Sequence, residues 1–214
     1  NFADTASDWL KRNFLTWQPT VKPVTYYTPE FLSYYAVEDC VAKCRAYIEE
    51  NGSYVQTDIE LGNLSHGKVW TIPMQYGVIA GKLSKMPSYY DVWVEDAAGT
   101  RLTYIQRYYA SDIRSEEEQW VLFENSLGGI DTFRAYGDAE NTAKHTHNVA
   151  EIENDSEEYR VDTVREYKKN TGFLSKEERK WLLDFFPSLG KFLYTGNYVR
   201  RIVVTESDVS WQTK

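Results

Sequence analysis

The chain has 214 residues, enough for one large or two small domains that each bury a core. Its net charge of -8 and the lack of any basic stripe exclude a general nucleic-acid binder, which needs Lys and Arg in surplus on one face. No apolar run approaches the ~18 residues of a membrane-spanning helix, so membrane insertion is not expected.

Residues 1–13 read as a short helix or a frayed tail. The opening NFADTASDWLKRNF lacks the charged-then-apolar layout of a secretory signal. The chain opens on Asn1 and not on Met, which leaves export open. In the following FLTWQPTVKPV, Pro19 and Pro23 exclude a regular central element and predict an extended arm or an edge. Residues 1–24 are therefore read as a helix followed by an arm that reaches toward neighbours.

Residues 25–110 read as a β-rich domain. Around the two cysteines, Cys40, Ala42, Cys44, Ala46 and Ile48 alternate with Lys43, Arg45, Tyr47 and Glu49, a period of two that marks a strand. Strand positions four apart stand ~13 Å from each other, beyond disulfide reach, so two buried free thiols are expected, as suits assembly in a reducing cytoplasm. A helix would bring the sulfurs closer and would suggest a metal or redox pair. ENGS at 50–53 argues for the strand, because Asn-Gly marks a hairpin turn, here within 39–61. A strand is predicted at KVWTIPMQYGVIAG (68–81), then a hairpin over 89–110 whose halves flank Ala97-Ala98-Gly99.

Apolar residues almost vanish in SDIRSEEE (111–118), the candidate domain boundary. Residues 119–214 then read as a β-sandwich-like domain with one flanking helix. Within it, Gly128-Gly129 separates two β-prone segments, 119–125 and 131–136. A phosphate loop needs spaced glycines leading from a strand into a helix; these are adjacent, no Lys follows and IDTFRAYG is β-prone, so the pair is read as a hairpin corner. The polar stretch 138–158 is a mobile loop or a strand pair on the rim, and YRVDTVREY (159–167) alternates. In LSKEERKWLLDFFPS, Ser175 and Glu178 have capping-box spacing and Pro187 stops the chain turning, which predicts a helix over 175–186 with Trp181, Leu182 and Phe185 inward. Short strands near KFLYTG, YVRRIVVTE and VSWQT close the chain.

Few groups suggest chemistry. His145 and His147 would share one side of a strand, where Glu151 or Asp155 would be a third metal ligand; the plainer reading is two exposed histidines in a hydrophilic loop. Glu116, Glu117, Glu118, Asp155, Glu157 and Glu158 lie in charge-dense stretches with no apolar wall to shift a pKa, and read as a solvated face. Ser65-His66 lacks an identifiable third partner. No catalytic residue, cofactor or metal is assigned, and an enzyme is not expected.

Aromatic residues make up 15% of the chain, with 17 Tyr and 7 Trp. Exposed Tyr and Trp stack on sugar rings, so a carbohydrate-binding module with a glycan partner is one reading. In the other, Trp70, Trp93, Trp120 and Trp181 fill cores, while the doublets Tyr26-Tyr27, Tyr34-Tyr35, Tyr89-Tyr90 and Tyr108-Tyr109 put one ring on each strand face and leave one for a partner.

At FLTWQP, FENSLGGIDTF and TGFLSKEERKWLLDFFPS the sequence resembles a family of structural proteins encoded in phage and prophage tail modules of gut anaerobic bacteria, over Phe14 to Trp211. The resemblance implies a tail-tube, distal-tail or baseplate component located in the virion, assembled in the host cytoplasm as a homo-oligomer with other tail proteins. By analogy of fold, rings in such assemblies form through sheet edges and loops. The fold class expected is mainly β (α+β), with sandwich-like sheets and one well-marked helix. The arm 14–24 and the polar loop 138–158 are the segments expected to cross between subunits.

Overall fold

A computed structural model of the protein describes residues 5–152 and 155–207. Among these the chain is mainly β, with thirteen strands in four sheets and three short helices. Helix α1 (Ala6–Arg12) is fixed by a capping box: Thr5 Oγ1 accepts from Asp8 N at 3.1 Å, and the Asp8 carboxylate reaches back to Thr5 N at 3.2 Å.

Strands β1 (Val21–Val24), β2 (Phe31–Ala36), β3 (Cys40–Glu50), β4 (Ser53–Leu64) and β5 (Lys68–Pro73) precede helix α2 (Tyr76–Leu83); β6 (Tyr89–Asp96) and β7 (Gln106–Ala110) complete the first half. The large sheet has the order β1-β7-β6-β3-β4, and the pair β2-β5 forms a second, smaller sheet. Both sheets and α2 contribute to one core that includes Phe14, Leu32, Tyr34, Cys44, Met74, Ile79, Tyr90, Val92 and Tyr108.

The β3–β4 hairpin turns at Asn51 and Gly52, both at positive φ, which matches its twist. Cys40 and Cys44 are buried and free on β3, as their alternation predicts. Arm β1 is an edge strand, parallel to β7, where the missing N–H of Pro23 is tolerated. The expectation that 14–24 reaches outward is corrected. Phe14, Leu15, Thr16, Gln18, Lys22 and Val24 are all buried against the chain itself, because apolar residues at both ends of the segment find their cover within the fold.

A second correction falls on 68–81, where the strand stops at Pro73 and α2 begins at Tyr76. Short apolar runs do not distinguish strand from helix by period; here Tyr76, Ile79 and Ala80 recur at helical spacing and cover the core.

After the mostly exposed stretch 111–118, β8 (Gln119–Glu124) and β9 (Ile130–Ala135) form the hairpin expected around Gly128, which lies at φ +81°. With β12 (Lys191–Tyr194) and β13 (Val199–Arg201) they make a sheet of order β13-β12-β8-β9. Helix α3 (Lys176–Trp181) has the predicted capping box between Ser175 and Glu178. It is shorter than expected: after Trp181 the chain continues as turns up to Pro187. The inward stripe still holds, since Trp181, Leu182 and Phe185 pack on Val121, Phe123, Phe133 and Ala135. The strand expected at VSWQT lies outside the described residues.

Between β9 and α3, β10 (Ala139–Ile152) and β11 (Asp155–Lys169) pair with each other alone as a two-stranded ribbon. Of the polar stretch 138–158, residues 139–152 are thus strand β10 and 155–158 the start of its partner β11, the strand-pair alternative. A bulge leaves Tyr159 without a direct partner, since Asn148 faces Arg160 and Val149 faces Glu158.

Candidate functional site

The two cores meet across a buried polar junction. On β1, Val21 is exposed while Lys22 and Val24 face inward, so the strand period itself carries an ammonium into the interior. Lys22 Nζ donates to both carboxylate oxygens of Glu30, at 2.8 and 2.9 Å, and to Gln18 Oε1 at 2.9 Å. It also reaches the second half, donating to the Thr132 carbonyl at 2.7 Å and standing 4.8 Å from the centre of the Trp181 ring. Thr132 Oγ1 adds a bond to Pro29 O at 2.5 Å.

On β9, Asp131 shares the inward register of Phe133 and Ala135. Its carboxylate accepts from Trp181 Nε1 at 2.8 Å. Glu30 is fully buried and Asp131 is 1% exposed. Burial pushes the Glu30 carboxyl up to about 7, against the opposing pull of Lys22. Burial also raises Asp131, against the Trp181 bond and Lys22. Tyr108, which bonds Gln18 at 3.1 Å, and Tyr90 are held far above the ordinary phenol range by burial. Two surface depressions lie away from this cluster, one between β4 and α2 and another beside α1 and His66.

Sequence reasoning passed over this cluster. Its signal was available as a Lys and an Asp sitting in the inward phase of alternating strands, at 22 and 131. Glu30 carried no such mark, since it precedes β2 in a turn-rich segment.

The residues singled out from sequence stand apart from the junction. His145 and His147 lie on one face of β10; His145 Nδ1 is 2.9 Å from Thr163 Oγ1, and His147 Nδ1 is 3.1 Å from the Glu158 carboxylate. Among the described residues no group of three or more His, Cys, Asp or Glu is placed to hold a metal ion. Glu116 and Glu117 are exposed, but Glu118 is half-buried and paired with Arg134. Ser65 gives its carbonyl to Trp70 Nε1 at 3.0 Å, and His66 N donates to Asp39, so the two close a turn.

Three Tyr doublets divide between strand faces as expected, with Tyr34, Tyr90 and Tyr108 buried. On the outer face Tyr47 and Tyr89 stack at 4.3 Å, and the Arg107 guanidinium lies 4.5 Å from the Tyr89 ring while bonding Asp91 at 2.6 and 2.7 Å. Tyr26 and Tyr27 lie in a turn, and both rings are exposed. Of the four tryptophans expected in cores, Trp181 belongs to one and Trp70 packs at the margin of the other; Trp93 is buried, but beneath Arg45 on the opposite face of its sheet, and Trp120 is half-buried and donates Nε1 to Thr28 Oγ1 at 3.2 Å.

The most extended surface is the ribbon. Cross-strand partners share a face, so Val149, His147, Val161, His145, Ala143 and Tyr167 line one side. Val149, Tyr159, Val161, Val164 and Tyr167 are 45% to 70% exposed. The opposite face is charged, with Asp162 accepting from both Arg160 and Asn148. At its base, Lys169 ties the ribbon to the Gly137 and Glu117 carbonyls. No protein-family model, curated protein or solved structure matches the chain.

Proposed function

We propose that the protein is a non-enzymatic structural subunit that acts by associating with copies of itself and with neighbouring proteins. The assembly that its resemblance implies is a phage-type tail or baseplate. One observation carries the reading: the ribbon 139–169 holds its strands out from both cores and leaves valine and tyrosine side chains in water. A lone two-stranded ribbon is marginally stable in water, and its outer edges offer unpaired backbone groups, so a partner strand or sheet supplies what the chain itself withholds. The long edge strand β4, with Tyr54 and Val55 exposed, offers a complementary type of surface.

Static light scattering across a dilution series tests it. The intact chain is expected to be multimeric, and replacing residues 141–167 by a short Asn-Gly turn is expected to yield monomers with an unchanged β signature in circular dichroism. A monomeric intact chain at every concentration would sink the reading.

A second reading, glycan binding, is favoured by exposed aromatic rings at two places in the first half. Trp17 is 53% exposed and stands 6.2 Å from Trp9, and Tyr27, at 73%, is the most exposed tyrosine of the first half. A glycan array in which Trp17→Ala abolishes binding would support it; an array with no signal removes it.

A further inference from the structure

The junction between the halves is unbalanced in charge. One ammonium, that of Lys22, stands among two carboxyls, Glu30 and Asp131, and donates directly to Glu30. Glu30 faces Lys22 from β1, Tyr108 from β7, Tyr90 from β6 and Asp131 from β9. Asp131 faces Trp181 on the turn of α3, Lys22, Thr16, Asn125 and Tyr104. Of these named neighbours, all but Lys22 are neutral or acidic. With both carboxyls ionised the interior would hold a net charge of one electron, which water is not present to solvate.

We infer that Lys22, Glu30 and Asp131 form one buried proton-binding centre, and that this centre makes the attachment of the two halves depend on pH. The proton comes from solvent and is held by the pair of carboxyls as an O–H bond, leaving Lys22 to balance the carboxylate that remains; no bond between heavy atoms changes. The geometry gives the coupling its reach, because the Lys22 ammonium is bonded to the first half through Gln18 and Glu30 and to the second through Thr132 and Trp181.

The direction follows from linkage. A carboxyl whose folded pKa lies above its unfolded value of 4.5 holds a proton that the unfolded chain has released. The stabilisation is complete below the unfolded value and is lost as pH rises to about 7, above which both states are ionised and the effect is constant. The clasp is therefore tighter in mild acid and looser at and above neutrality, by up to about tenfold in the folding constant per pH unit within that window.

Two measurements on the full chain test the centre. In the wild-type protein, carbon-13 NMR of side-chain carboxyls should reveal one that titrates near neutrality, with the Trp181 indole N–H resonance, assigned by loss in Trp181→Phe, moving along the same curve. Urea denaturation from mild acid to neutrality should show a loss of stability that disappears in Glu30→Gln, where Lys22 and Asp131 balance, and in Asp131→Asn, where Lys22 and Glu30 balance. The inference is overturned if every carboxyl titrates in the ordinary acidic range with the indole signal unmoved, or if both variants retain the wild-type pH slope. The NMR titration stands without the variants, so a failure of either to fold leaves the test intact.

Discussion

Gly129 lies against the carbonyl oxygen of Leu15. A methyl group on Gly129 would collide with that oxygen and come within 3.0 Å of Ser33 Cβ and Asn125 Nδ2. The hairpin corner is thus a seat for residues 14–18: Asn125 Nδ2 donates to Leu15 O at 2.8 Å, while its Oδ1 accepts from Gly129 N at 2.9 Å. The two glycines of the pair differ in kind. Gly128 supplies a positive φ with open space around it, whereas Gly129 supplies a missing side chain.

Gly129→Ala is therefore expected to destabilise more than Gly128→Ala. The first forces backbone apart and should cost upward of ~3 kcal/mol; the second meets only conformational strain, about 1–2 kcal/mol. Urea denaturation of the two variants ranks them, and equal losses would deny the close approach its importance.

Lys22→Met removes the ammonium that bonds Glu30 at the junction and leaves Glu30 and Asp131 buried without it. The expected loss is about 3–5 kcal/mol. Lys22→Met combined with Glu30→Leu should recover a large part of it, since an apolar pair of similar volume replaces the ion pair. A double variant as unstable as the sum of the singles would show that the two side chains act independently.

Burial raises the thiol of Cys40 to about 11 and that of Cys44 to about 12. Neither forms appreciable thiolate at mildly alkaline pH, so labelling by a disulfide reagent should wait on opening of the β3 sheet. Both thiols are expected to react slowly in buffer and at once in denaturant; prompt stoichiometric labelling of the native chain would contradict the burial.

Ser175→Ala deletes the hydroxyl that accepts from Glu178 N at 3.1 Å and caps α3. A loss of ~1 kcal/mol is expected, with hydrogen exchange increasing at 176–182 and not in β3 or β6. Exchange that rises evenly over the whole chain would mean that α3 does not open on its own.

Local chemistry was legible in the sequence wherever a short-range rule acts alone. The Asn51-Gly52 turn, the alternation through Cys40 and Cys44, the hairpin at Gly128 and the capping box at Ser175 each depend on residues a few positions apart, so their geometry follows from their own backbone and side chains. Tertiary contact decided the rest. It turned 76–83 into a helix because three of its residues found the core at that spacing, and folded 14–24 inward because Phe14 and Val24 found cover. It also set Lys22, Glu30 and Asp131 side by side across some hundred residues of chain. No local pattern encodes that meeting: the energy of a buried charge depends on which distant groups replace the water it has lost.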